Sequence, residues 1–362
     1  MTRTPILPRR PAAYRLAALG FFPVLVFAAA AGRAAGPPDS PTGMQPGVAF
    51  ADYSPLAGSA ELMRRLLSPL TVEQMRREGA RSEQPLRGQP IDLANEKFTV
   101  YVPIRAPAQG YALLVFVPPW RDAVVPPHWL GALDRHAMIF VSAANSGNDA
   151  NVLDRREPLA LLAAHNVMRR YPVDPARVYV GGFSGGSRVA LRLAVAYPDV
   201  FRGALLDAGS DPIGDGQLPL PAADLFRQFQ EASRLVYLTG QDDSAGLDQD
   251  VRSRQSMQEW CVFDLDTQLM LRAGHEPAGP AAVDRALDAL TGSHAPDPQK
   301  LAACRARTAA DLSAKLAQAR ALLEAGKAGD AWSLLKKIDA RYGGLAAPES
   351  VDLAGQIHAD SP

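Results

Sequence analysis

Short apolar runs, broken by turn residues, dominate the chain between residues 95 and 293. Residues 98–102, 111–117, 137–142, 203–207 and 235–238 are aliphatic, aromatic or β-branched with little polar alternation. Strands apolar on both faces are those covered by helices on each side, so these runs predict a mostly parallel sheet. A last strand is expected over 263–271. Between the strands the period lengthens to that of a helix. Leu161, Leu162, Ala164, Val167 and Met168 recur at helical spacing over 158–171, where Pro172 ends the run. Val189, Ala190, Leu193, Ala194 and Tyr197 do the same up to Pro198. Strand and helix in alternation predict a doubly wound α/β domain.

Outside that region the pattern changes. Residues 58–79 carry a short stripe of Leu62, Leu66 and Leu67 and predict helix, whereas 37–48, rich in Pro and Gly, predict a linker. After a polar stretch at 292–300 the chain becomes rich in Ala, Leu, Lys and Arg. Leu312, Leu316, Ala319 and Leu323 form one helical face, and Ala331, Leu334, Leu335 and Ile338 a second, with Gly326 and Gly329 at the turn. A third helix is expected over 349–357. Residues 321–331 resemble one tetratricopeptide-type hairpin. Stable arrays need about three such units, so a helical cap on the main domain is expected, with a protein-docking module through 300–362 as the alternative.

Composition adds an address. Arg3, Arg9, Arg10 and Arg15 precede an apolar run from Leu16 to Ala31, and small residues follow. That order predicts a secretory signal cleaved after Ala34 or Ala35, the alternative being an uncleaved membrane anchor. The expected division is therefore a signal at 1–35, a linker and helical segment at 36–94, an α/β domain at 95–293 and a helical appendage at 294–362. Loss of 1–35 removes five arginines and no acid, leaving 33 basic against 38 acidic residues. A mildly acidic chain without a basic cluster argues against a nucleic-acid partner. No later stretch is apolar enough to span a membrane. In an exported protein Cys261 and Cys304 predict a disulfide closing a loop of 43 residues. Two buried thiols are the alternative.

The chemistry centres on Val178-Tyr179-Val180-Gly181-Gly182-Phe183-Ser184-Gly185-Gly186. A strand runs into Gly-x-Ser-x-Gly and a helix follows, the setting of a nucleophile elbow. A serine there takes a strained backbone that only small neighbours two residues away tolerate; Gly182 and Gly186 fill those places. Gly185 opens the helix, so its N–H can serve an oxyanion hole.

With residues 171–180 before it (YPVDPARVYV), GGFSGGSRVA itself, and AYPDVFRG at 196–203, the chain resembles the α/β-hydrolases. Within them it is similar to esterases related to polyhydroxyalkanoate depolymerases and feruloyl esterases. The likeness is strong over about 40 residues and general over 95–293. It implies a doubly wound, mostly parallel α/β-hydrolase sheet and a Ser-Asp-His triad, and leaves the substrate open.

In that superfamily the acid and then the histidine follow the serine. His275, in a turn after the last strand, is the expected base, ahead of His294 in the polar linker and His358 near the end. The loop after 235–238 reads Thr239-Gly240-Gln241-Asp242-Asp243-Ser244. The related esterases place the acid three residues after the glycine, which implies Asp243, with Asp242 and Asp248 as rivals. The loop after 111–117 reads Pro118-Pro119-Trp120-Arg121-Asp122 and lacks the His-Gly-Gly of many lipases. Prolines have no N–H, so a second oxyanion donor is expected from Trp120 or later. Trp120, His128 and Trp129 are candidates for the pocket lining, with plain packing the alternative, and Asn145 to Asp149 for its border. His136 and His165 are expected to be structural.

Neither zinc-type ligand spacing nor a phosphate-binding Lys is present, so no metal or cofactor is expected. The expectation is an exported serine hydrolase of small or soluble carboxylic esters. A peptidase of the same fold and a catalytically inactive binding protein are the alternatives.

Overall fold

A computed structural model describes residues 40–79, 88–292 and 295–359. The expected signal at 1–35 and His294 lie outside the described residues. Eight strands form one sheet: β1 (Gly43–Val48), β2 (Phe98–Val102), β3 (Tyr111–Val117), β4 (Met138–Ala143), β5 (Val173–Phe183), β6 (Gly203–Asp207), β7 (Arg234–Gly240) and β8 (Leu265–Met270). The helices are α1 (Ser59–Leu66), α2 (Pro69–Gly79), α3 (Leu130–Arg135), α4 (Glu157–Arg170), α5 (Gly185–Ala196), α6 (Ala223–Ala232), α7 (Ser244–Glu259), α8 (Pro280–Thr291), α9 (Pro298–Glu324), α10 (Ala328–Tyr342) and α11 (Glu349–Ala359).

The strand order is β1-β2-β4-β3-β5-β6-β7-β8. Strands β1, β2 and β4 pair antiparallel, and every pair from β4 to β8 is parallel. This is a doubly wound, mostly parallel α/β sheet, with helices added at the C-terminal end of the chain. All seven positions of β3 and all six of β4 are buried, because alternate residues feed two cores. Leu113, Val115, Ile139, Val141, Val178 and Val180 pack with α4 and α5 on one face. Leu114, Phe116, Phe140, Tyr179, Leu205 and Val236 pack with α3 and α8 on the other.

The linker expected at 37–48 is corrected. Residues Gly43–Val48 are an edge strand of the sheet, aligned with β2 from Gly43 opposite Val102 to Val48 opposite Phe98. Pro46 falls where the register shifts, and edge strands tolerate a residue without an N–H at such a bulge. The sheet therefore starts before residue 95, the expected domain boundary. The single helix expected over 58–79 is two helices, separated at Leu67 and Ser68 before Pro69. Arg65 fastens the first to the body: its guanidinium grips Asp199 at 2.6 and 2.9 Å and lies over the Tyr197 ring.

The C-terminal helices share the core of the sheet: Leu316, Ala319, Leu335, Ile338 and Tyr342 belong to the same buried cluster as Leu113 and Val115. Ser68 Oγ and the Leu70 N–H both donate to the Asp339 carboxylate, joining α2 to α10. Cys261, just after α7, is disulfide-bonded to Cys304 in α9, with Cα atoms 5.8 Å apart and a sequence separation of 43 residues. Closing a loop of that length is worth about 4 kcal/mol in the chain-entropy model. The bond ties α9 to the segment that leads into β8. Among the described residues no helix is long and apolar enough to cross a membrane.

Candidate active site

Strand β5 ends at Phe183 and helix α5 begins at Gly185, leaving Ser184 alone between them with φ 55° and ψ −120°. A side chain rarely holds that conformation, which costs of order 1–3 kcal/mol and must be enforced by its surroundings. The Ser184 N–H donates to the Asp207 carbonyl at 2.8 Å, and the Ser184 carbonyl accepts from Ser187 N at 3.0 Å. The two glycines are steric requirements. A Cβ on Gly182 would lie 2.3 Å from the Gly186 backbone, and one on Gly186 would lie 1.9 Å from the Val117 carbonyl oxygen.

The turn after β8 brings His275 to this corner. Its Nε2 is 2.9 Å from Ser184 Oγ, and its Nδ1 is 2.7 Å from Asp243 Oδ2. With Nδ1–H donated to a carboxylate, Nε2 is free to accept the serine proton. The His275 side chain is half exposed, whereas that of Asp243 is 6% exposed. Asp243 follows β7 and also caps α7, its Oδ1 accepting from Gly246 N at 3.0 Å. A Cβ on Gly246 would stand 2.4 Å from Asp243 Oδ2, so the helix start is built around this carboxylate. The rivals point elsewhere. Asp242 and Asp248 are exposed, and the His358 ring packs edge-on against Trp332 on the appendage.

Three further residues hold the histidine turn. The Ala278 N–H donates to Asp207 Oδ2 at 3.0 Å, and the Ala278 carbonyl lies 3.0 Å from His128 Nε2 and 2.8 Å from Trp129 Nε1. Trp129 is thus corrected as a pocket residue: it is fully buried, edge-on to Phe116 and Phe140. A 3₁₀ turn at Pro127–Trp129 drives the indole under the sheet, where its N–H needs an acceptor. His128 is exposed and braces the same carbonyl. Asp207 received no role in the sequence reading. It stands at the end of an apolar strand, linking Ser184 N to Ala278 N, and burial raises its carboxyl well above the ordinary range. An acidic residue closing an otherwise apolar run was the available signal.

The loop after β3 lies beside Gly185. Trp120 is half-buried with its indole 6.1 Å from the Phe183 ring, which in turn lies 5.1 Å from the His275 ring. Among the described residues the Trp120 N–H has no backbone acceptor. Asn148 N donates to the Pro119 carbonyl, and the buried Arg156 donates to the carbonyls of Pro118 and Ser146, each at 2.9 Å. These bonds clamp the 118–121 and 145–149 loops together. The Asn148 amide rests on Gly185, where a Cβ would come within 2.2 Å of its Oδ1. A cleft of about 530 Å³ opens here, bounded by Ser184, Gly185 and Asn148. A second cavity of equal volume, lined by Trp332 and His358, contains none of the three hydrogen-bonded side chains.

Asp250, two turns into α7, accepts from Thr239 Oγ1 at 2.5 Å, and burial holds its pKa up at about 6. The folded pKa exceeds the ordinary value of 3.8. The folded state therefore favours the protonated acid, and that stabilisation is complete below about pH 4 and lost as pH rises through 6. Asp250→Asn keeps an acceptor for Thr239 without the ionisation. Its stability relative to the parent should grow from pH 4.5 to pH 7.5 by about 2 kcal/mol. Thermal unfolding at both pH values checks this; a difference independent of pH would refute it.

No family model matches the chain, and no curated protein matches it. Among solved structures it is similar to LpqC, a poly(3-hydroxybutyrate) depolymerase from Bordetella parapertussis, at 16% identity and TM-score 0.42 over 58% of this chain and 88% of that one. The acetyl xylan esterase of Aspergillus awamori aligns at 13% identity and TM-score 0.40, over 54% of this chain and 94% of that one. The esterase Est2 of Thermogutta terrifontis aligns at 15% identity and TM-score 0.39, over 55% and 87%.

Proposed function

We propose that this chain is an exported serine hydrolase of carboxylic esters, with Ser184 as nucleophile, His275 as general base and Asp243 as the acid that orients it. The observation that carries the reading is the continuous path from Ser184 Oγ through both ring nitrogens of His275 to Asp243, set at a strained turn. Serine and histidine elsewhere in a fold need no such strain, so its retention supports a chemical role.

In the forward half-reaction Ser184 Oγ attacks the ester carbonyl carbon while His275 Nε2 takes its proton. Asp243 fixes the tautomer and stabilises the imidazolium. The N–H of Gly185, at the start of α5, and that of Trp120 receive the oxyanion, in a site where fixed dipoles need no reorganisation. His275 then protonates the departing alkoxide and leaves an acyl-serine. Water, deprotonated by the same imidazole, attacks the acyl carbon and frees Ser184 with the acid as product. Export is supported by the disulfide, which an oxidising compartment preserves.

A fluorophosphonate probe and 4-nitrophenyl esters of two to twelve carbons test this together. Labelling confined to the peptide containing Ser184, with turnover of at least one ester, is expected. Folded protein that neither labels nor turns over any ester would overturn it.

A further inference from the structure

The cleft beside Ser184 has an aliphatic wall of Val152, Leu153 and Val189, yet it also carries three guanidinium groups, Arg156, Arg188 and Arg192, against one lining carboxylate, Asp211. The three arginines are not equivalent. Arg192 is engaged from behind, its Nε 2.6 Å from Glu157 Oε1, and Glu157 has no solvent exposure. Arg188 is open: it meets Asp211 at 3.4 Å with both side chains more than 40% exposed, and one NH₂ donates to Gln249 Oε1 at 3.0 Å. A loose, solvated ion pair of this kind holds little and exchanges readily for another carboxylate.

Arg156 is the unusual member. It is 3% exposed, and its mapped donors go to the neutral carbonyls of Ser146 and Pro118. No carboxylate lies within 4.0 Å of it among the described residues. Glu157 and Asp149 act on it through space, and each is already paired, with Arg192 and Arg121 respectively. Arginine does not shed its proton inside a protein, so a buried guanidinium without its own counter-ion leaves positive potential in the cleft it borders.

Position relates this charge to the reaction. Arg188 is four residues beyond Ser184 on α5, one helical turn or about 6 Å along the axis. Resting on the reading of Ser184 as nucleophile, we infer that the cleft selects esters bearing a carboxylate near the scissile bond. Arg188 grips that carboxylate in place of Asp211, and Arg156 supplies the favourable field behind it. The substrate class is then a monoanionic ester: a half-ester of a dicarboxylic acid, or an ester whose alcohol carries an acid group. Val152, Leu153 and Val189 accommodate a short methylene spacer.

The test compares two matched pairs, one for each side of the ester. The first pair is mono-4-nitrophenyl adipate and its methyl ester; the second is 4-carboxyphenyl butyrate and its methyl ester. Rates are corrected for spontaneous hydrolysis. In at least one pair the anion should be favoured at least tenfold in kcat/KM at low ionic strength, with the preference falling in 0.5 M NaCl as screening predicts. Arg188→Gln should reduce that anionic-to-neutral ratio at least fivefold, chiefly through KM. Ratios near one in both pairs, while neutral esters are turned over, would overturn the selectivity and leave the hydrolase standing. No turnover of any of the four, with no label at Ser184, would remove both.

Discussion

Replacing Ser184 with alanine is expected to lower kcat/KM for the best ester by about 10⁵- to 10⁶-fold and to abolish fluorophosphonate labelling. The size follows from the role: the hydroxyl forms the bond to the acyl carbon, and Ser184 Oγ stands 2.9 Å from His275 Nε2, in position to give it its proton. Binding and the oxyanion donors remain, so a residual rate above that of water should survive. Stability should barely change, because among the described residues the Ser184 side chain hydrogen-bonds to His275 alone, while the backbone bonds to Asp207 and Ser187 persist. Adding His275→Ala should cost little more, since groups that act as one unit are not additive. Steady-state kinetics with active-site labelling measures the rates, and thermal unfolding the stability. Retained labelling in the single variant would sink the assignment of Ser184.

Gly186→Ala should have the largest effect on stability. The new methyl would stand 1.9 Å from the Val117 carbonyl oxygen and 2.8 Å from its carbon, both backbone atoms at the end of β3. A side chain could rotate aside, but β3 is locked between β4 and β5 by parallel ladders on both edges. The strand and α5 would have to separate, with a cost of about 3 kcal/mol or more, at or beyond the top of the usual overpacking range. What still folds should be slow, because α5 carries Gly185 and the start of the helix fixes Ser184, and displacements near 1 Å cost about 100-fold in well-oriented catalysis. Gly329→Ala, inside α10 with nothing within 4 Å of the added carbon, is the control and should be neutral or slightly stabilising. Urea unfolding of both variants decides the matter; wild-type stability in Gly186→Ala would mean that β3 and α5 do not approach as described.

Central elements were legible because their burial is two-sided. Strands β3 and β4 are apolar at nearly every position, and a run of that kind has few other uses. The edge was illegible for the opposite reason: β1 is half exposed, holds Pro46 and two glycines of positive φ, and reads as linker by composition. Helix α7 is similar. Its buried positions are Gly246, Asp250, Ser253 and Met257, so it shows no apolar stripe although it starts at Asp243 and packs on β7.

The serine corner is a local object. Strand, glycines and helix are contiguous, so the order of nine residues marks Ser184 and its neighbours from the sequence alone, although the Val117 carbonyl of β3 is what Gly186 must clear. That much, with the two-sided strands, the chain's order of residues determined; that Cys261 and Cys304 are joined, the structure decided. Which histidine and which aspartate meet the serine, that Trp129 is core while His128 braces Ala278, that Asp207 links two loops, and that Arg156, Arg188 and Arg192 converge on one cleft were decided only by tertiary structure. Those groups come from the ends of separate strands and from turns far apart in sequence, and packing of the whole sheet, rather than any local propensity, sets the distances between them.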